Sequence, residues 1–261
     1  MGKIIAVANQ KGGVGKSTTC INFAAALRQR DKRVLVVDCD PQGNSTSGLG
    51  LSKAMRPNVY DVIIRGEPAE RAVAHTKYSD VLPANKDLSG ALVELVGLPD
   101  REFILKKALM SLRERYQFIF IDCPPSLELL TINALAAADS VLIPVQCEYF
   151  ALEGLTDLMT TIKMMNRRLN PDLTIEGLLL TMYDKRTNFS DQVAREIWKH
   201  FGKLVYETNI PRSVRVSEAP SHGKPAVVYD REAKGSRAYL KAASEFYKRA
   251  KKEKDSTTEE D

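Results

Sequence analysis

Five short runs of nearly unbroken apolar residues punctuate the sequence: Ile4–Ala8, Val34–Val37, Phe118–Ile121, Val141–Val145 and Ile175–Leu180. A strand that is apolar at every position, and not merely at every second one, has to be covered on both faces. A parallel sheet sandwiched between helices meets that condition. The intervening segments supply the cover, because apolar residues recur at helical spacing over residues 16–30, 87–97, 101–115, 127–137, 152–169, 189–201 and 235–252. The alternation predicts a doubly wound α/β fold with a mostly parallel sheet and helices on both faces. No Ser-, Gly- or Pro-rich stretch divides it, so residues 1–250 read as one domain. The polar segment 251–261 is expected to be a disordered tail.

Composition narrows the functional classes. With 44% hydrophobic and 27% charged residues, 12 Pro and 15 Gly, the chain is neither a low-complexity nor a fibrous sequence. Cys20, Cys39, Cys123 and Cys147 show no CxxC or other metal-ligand spacing, which fits buried free thiols in a reducing cytoplasm. The N-terminal residues run straight into a glycine loop without a long apolar stretch, unlike a secretory signal. Nowhere do about 18 consecutive apolar residues occur, as a membrane-crossing helix needs.

The loop between the first strand and the first helix reads Gln10-Lys11-Gly12-Gly13-Val14-Gly15-Lys16-Ser17-Thr18. A phosphate chain packs several negative charges into little volume. Glycines let backbone N–H groups approach it, the helix N-terminus adds a positive dipole, and Lys16 adds a full charge. The Ser17 hydroxyl suits the Mg²⁺ that accompanies such phosphates. The pattern departs from G-x-x-x-x-G-K-[ST] in one respect: Gln10 occupies the first glycine position, and a second lysine, Lys11, sits inside the loop. Two more strand ends carry acids, Asp38 and Asp40 after the second strand and Asp122 after the third. The carboxyl ends of parallel strands are where an open α/β sheet holds its ligand, and an acid there can serve a metal ion or orient a water. Strand-end Asp residues also cap helices and start turns, which is the plainer alternative for each taken alone.

Five ordered blocks, KGGVGKST, DCDPQGN, IFIDCPPS, TMYDKRTN and PRSVRVSEAPSHGKP, make the chain resemble the P-loop ATPases with a deviant Walker A motif of the ParA/Soj type, which partition chromosomes and plasmids. The resemblance spans essentially residues 1–250. It implies slow hydrolysis of ATP, with Mg²⁺, in a homodimer that ATP holds together. That dimer would bind double-stranded DNA without sequence preference and be stimulated by a ParB-type centromere-binding partner. The protein would then be cytoplasmic and associated with the nucleoid. By the same resemblance Lys11 reaches the partner subunit's phosphates, Lys16 holds the β- and γ-phosphates, and Ser17 sits on Mg²⁺. Thr18 lies near the α-phosphate, Asp40 positions the attacking water, Asp122 is the Walker B acid, and Asp38 lies beside the metal. Pro211 and Ser213 are expected near the adenine.

Net charge points the same way once it is divided along the chain. Residues 1–184 hold 21 basic and 21 acidic side chains; residues 185–254 hold 17 and 8, an excess of nine positive charges. Four acids without a base follow, which returns the total to +5. A basic third without interleaved aromatics suits the phosphate backbone of a duplex better than stacked single-stranded bases. By resemblance, Lys185, Arg186, Arg212 and Arg215 are the expected DNA contacts.

Two other readings compete. A MinD-like, membrane-associated regulator would use the last helix, where Tyr239, Leu240, Ala243, Phe246, Tyr247 and Ala250 follow helical spacing. Its acidic end and its continuity with the preceding chain favour packing against the sheet. An electron donor of the nitrogenase iron-protein type would need cysteines on exposed loops, whereas all four lie in or beside apolar segments.

Overall fold

The computed structural model describes residues 1–148 and 151–258. Seven strands form one sheet: β1 (Lys3–Val7), β2 (Val34–Asp38), β3 (Ala74–His75), β4 (Asp80–Leu82), β5 (Phe118–Asp122), β6 (Ser140–Gln146) and β7 (Thr174–Thr181). Their order is β3-β4-β2-β5-β1-β6-β7, parallel throughout except for β3 against β4. The helices are α1 (Lys16–Arg28), α2 (Asn44–Gly48), α3 (Val59–Arg65), α4 (Ala69–Ala72), α5 (Leu88–Leu95), α6 (Ile104–Arg113), α7 (Leu129–Ala137), α8 (Ala151–Arg168), α9 (Asn188–Phe201), α10 (Val214–Glu218), α11 (Ala226–Tyr229) and α12 (Lys234–Thr258).

The two-sided cover expected of the apolar strands is present. Along β1, Ile4, Ala6 and the following Ala8 join a core with Leu35, Val37, Ile119 and Ile121 under α3 and α5 to α9. Ile5 and Val7 point the other way and join Val34, Val36, Phe118 and Phe120 under α1 and α12. Period-two alternation is thus intact, but both faces are apolar because both are buried. All five predicted strands and all seven predicted helices correspond to observed elements. The strands β3 and β4 and the short helices α2, α3, α4, α10 and α11 lie between them. Of these only α3 carries a plain local signal, an Asn58/Asp61 capping box.

The last helix closes the second core. Tyr239, Ala242, Ala243 and Phe246 are buried, with Leu240, Tyr247 and Ala250 packed alongside. The Phe246 ring meets Phe118 at 5.2 Å, Phe120 at 5.4 Å and Phe23 at 5.9 Å between centroids. Phe246→Ala is expected to cost about 3–5 kcal/mol of folding stability, read by denaturant unfolding, because it empties the contact between three elements. Further along α12, the Arg249 guanidinium lies 4.2 Å from the centre of the Tyr206 ring and donates to the Val205 carbonyl at 2.9 Å. The segment from 251, expected to be disordered, instead continues the helix to Thr258, and residues 259–261 lie outside the described residues. Lys and Glu are good helix formers, and Glu253 pairs with Lys3 at the start of β1, which ties this turn to the sheet.

Candidate active site

The loop after β1 folds back on itself over the first turn of α1. Gly13 and Gly15 adopt φ of 75° and 92°, the left-handed region that an L side chain rarely enters, so the loop needs glycine at both. A Cβ on Gly13 would meet nothing within 4 Å, so its open side leaves room for a bound group. Asn9 ties the loop to the sheet by donating to the Pro144 carbonyl at 2.8 Å and accepting the Lys11 N–H at 3.0 Å. From the far side, the Thr181 hydroxyl at the end of β7 donates to the Val14 carbonyl at 2.8 Å. Neither Asn9 nor Thr181 stands out in the sequence, because each acts on a backbone carbonyl far away along the chain.

The two loop lysines occupy different places. Lys16 is buried, and its ammonium donates to the Lys11 carbonyl at 3.0 Å. Burial lowers its pKa, while the nearby charges of Asp122 and Asp40 act in the opposite sense. The Lys11 side chain is 48% exposed at the rim of the loop and pairs with Glu148.

Three carboxylates converge below. Asp38 and Asp122 are register partners at the ends of β2 and β5, both fully buried. Burial raises the pKa of both, and Asp38 raises that of Asp122 further, because two buried like charges cannot both ionise cheaply. The Asp38 oxygens are engaged: Oδ2 accepts from the Thr46 N–H at 2.8 Å and hydroxyl at 2.7 Å, and Oδ1 from the Asp40 N–H at 3.2 Å. Asp122 Oδ2 accepts from the Ser45 hydroxyl at 2.7 Å, whereas Oδ1 has no hydrogen-bond partner among the described residues. The Ser17 side chain also acts to lower the Asp122 pKa, as a hydroxyl close to that carboxylate does. A buried carboxylate oxygen left open beside a hydroxyl is a hard-oxygen donor set that suits Mg²⁺. Asp40, also buried, accepts the Gln42 N–H at 2.9 Å through Oδ1. Thr18 turns its carbonyl to Asn22, which in turn accepts the Val227 N–H at 3.0 Å.

Pro211 lies alongside the end of β7, bridged to Tyr183, with the Tyr183 N–H donating to the Ile210 carbonyl at 3.0 Å. Ser213 follows at the N-cap of α10, its hydroxyl making no capping bond. The same edge carries the basic residues. Lys185, Arg186, Arg212 and Arg215 are all exposed, and the Arg212 N–H donates to the Tyr183 carbonyl at 3.4 Å. Asp184 is held down to about 2 by the Arg186 guanidinium, with Arg212 adding to the effect, so these two arginines share one rim. Arg186 donates to both Asp184 oxygens, at 3.0 and 2.8 Å. Arg215 is tied to Glu218 at 2.6 Å and to Asp230 at 3.4 Å. The four cysteines are buried free thiols.

A family model described as an AAA domain matches residues 2–175. The chain is 54% identical over 248 residues to the sporulation initiation inhibitor protein Soj of Bacillus subtilis, covering 94% of this chain and 98% of that one. It is 52% identical over 252 residues to the chromosome partitioning protein ParA of Myxococcus xanthus, covering 95% and 89%. Among solved structures it is similar to cobyrinic acid a,c-diamide synthase from Mycobacterium smegmatis with bound ADP and magnesium. That match has a TM-score of 0.82 at 37% identity over 94% of this chain and 93% of that one. The cell division ATPase MinD of Pyrococcus furiosus superposes with a TM-score of 0.79 at 28% identity, covering 95% and 99%.

Proposed function

The chain belongs to the Soj/ParA family of chromosome-partitioning ATPases, and from that premise we propose that it is a DNA-partition switch in which ATP joins two subunits and hydrolysis separates them. The observation that carries this reading is the division of labour between the loop lysines. Lys16, buried under the loop, would serve the β- and γ-phosphates of its own subunit; Lys11, half-exposed at the rim in a surface pair with Glu148, can turn to those of a second. A cation supplied across an interface makes turnover conditional on dimerisation, which suits a timer better than a metabolic catalyst.

Phosphoryl transfer asks chiefly for positioning and charge neutralisation. The N–H groups of Gly12 to Thr18 line the phosphates at the head of α1, and Pro211 and Ser213 border the base. Ser17 and the open oxygen of Asp122 would hold Mg²⁺, which when bound neutralises phosphate charge. Asp38 holds the segment after β2 in place through Thr46 and Asp40, and would lie one step behind a bound Mg²⁺. Asp40 orients the attacking water.

DNA then meets the rim of Lys185, Arg186, Arg212 and Arg215 through its backbone, without reading bases. A ParB-type partner would stimulate the slow hydrolysis and release the dimer from the nucleoid. The MinD-like alternative is disfavoured by one feature: Tyr239, Ala243 and Phe246, the apolar stripe of α12, are buried in the core and not offered to a membrane. Among the described residues no helix is long and apolar enough to cross one.

The test is the double variant Arg186→Ala/Arg215→Ala in a filter-binding assay with duplex DNA and ATP. We expect at least a roughly tenfold loss of affinity and a salt slope shallower by about one per lost phosphate contact, with ATP affinity unchanged. DNA binding that survives both changes places the surface elsewhere.

A further inference from the structure

We infer that Ser45 is the positioning residue of the magnesium site: its hydroxyl pins one oxygen of Asp122 so that the other is presented to the metal. The inference rests on the assignment of Ser17 and Asp122 as Mg²⁺ holders. A carboxylate at the end of a strand can turn about its last bond, and nothing in β5 itself decides which oxygen faces the loop. The Ser45 hydroxyl does so at 2.7 Å, with both residues fully buried, and Oδ1 is left as the open one.

Ser45 is held firmly enough to impose that orientation. It sits in α2, whose next residue, Thr46, bonds Asp38 twice and accepts the Ala84 N–H at 2.9 Å. One residue past Ser47, Gly48 closes the helix against α1 so tightly that a Cβ there would lie 2.4 Å from Ile21 Cδ1. Side chain and backbone together therefore clamp α2 to both strand-end carboxylates. The clamp begins four residues after Asp40 and so joins the water-positioning acid to the metal-holding one through a single short segment. Outer-shell hydrogen bonds of this kind govern metal affinity by about 10- to 100-fold.

The test titrates MgCl₂ against the full chain and reads the tightening of a fluorescent ATP analogue, with a second series in EDTA. In Ser45→Ala the Mg²⁺ concentration at half effect is expected to rise at least about tenfold, while analogue affinity in EDTA stays within about twofold. Ser45→Thr should restore the parent value, and Ser45→Cys, a weaker donor of similar size, should fall between them and keep the test open if the alanine variant does not fold. A half-effect concentration unchanged in Ser45→Ala and Ser45→Cys overturns the inference, as does an equal loss of affinity in EDTA. A parent chain whose analogue affinity ignores Mg²⁺ overturns the magnesium assignment itself.

Discussion

Asp40→Ala is expected to accumulate as an ATP-bound dimer that does not turn over. Among the described residues the Asp40 carboxylate bonds within its own turn: one oxygen accepts the Gln42 N–H, and its carbonyl accepts the Gly43 N–H at 2.8 Å. Alanine removes the first of these bonds and keeps the second, a local cost of about 1 kcal/mol that the fold tolerates. Asp38, Asp122, Ser45 and Thr46 keep their mutual contacts, so the phosphates and Mg²⁺ retain their holders. On the proposed assignment, what is lost is the group that orients the attacking water, a contribution of about 10²–10⁴ in rate. Phosphate release should therefore fall at least about a hundredfold while sedimentation with ATP still shows the dimer. A parallel fall in ATP affinity would make Asp40 a structural residue and remove it from the chemistry.

Lys11→Ala should fail at the preceding step. Among the described residues the Lys11 ammonium pairs with Glu148 at a partly exposed position, and such a pair contributes about 0–1 kcal/mol to stability. Lys16 and the loop N–H groups remain, so a monomer should fold and bind ATP within a few-fold of the parent affinity. Across a dimer interface the same ammonium would face phosphates in a site closed to water, where the loss of a cation from a charge-assisted pair costs several kcal/mol. ATP-dependent dimerisation is thus expected to vanish, with DNA binding and turnover lost together. Sedimentation in the presence of ATP decides it: a dimer of parental affinity would show that Lys11 acts only within its own subunit.

The two variants are expected to separate two functions, and both residues are read from local motifs in the sequence. The strands were legible for a related reason. Burial on both faces leaves no polar position in Phe118–Ile121 or Val34–Val37, so the parallel sheet and its ligand-bearing edge follow from short windows. The parts that stayed hidden depend on distant partners. Thr181 meets the loop across 167 residues and Ser45 meets Asp122 across 77, and neither hydroxyl differs in sequence from any other. Asp38 looked like a neighbour of the metal but spends both oxygens on Thr46 and Asp40. Counting charges located the basic third, yet it could not show that Arg186 and Arg215 already lean on Asp184, Glu218 and Asp230. Strands as short as β3 and β4 leave no period to detect, and the polar end of α12 is helical without an apolar stripe to announce it.

If nucleotide state controls attachment to DNA through a dimer, retention of duplex DNA of unrelated sequences by the purified chain reads it directly. Three series, with ATP, with ADP and without nucleotide, are repeated from low to high salt. Retention is expected with ATP alone, indifferent to sequence and falling steeply as salt rises. Equal retention in all three nucleotide states, or retention confined to one sequence, would contradict it.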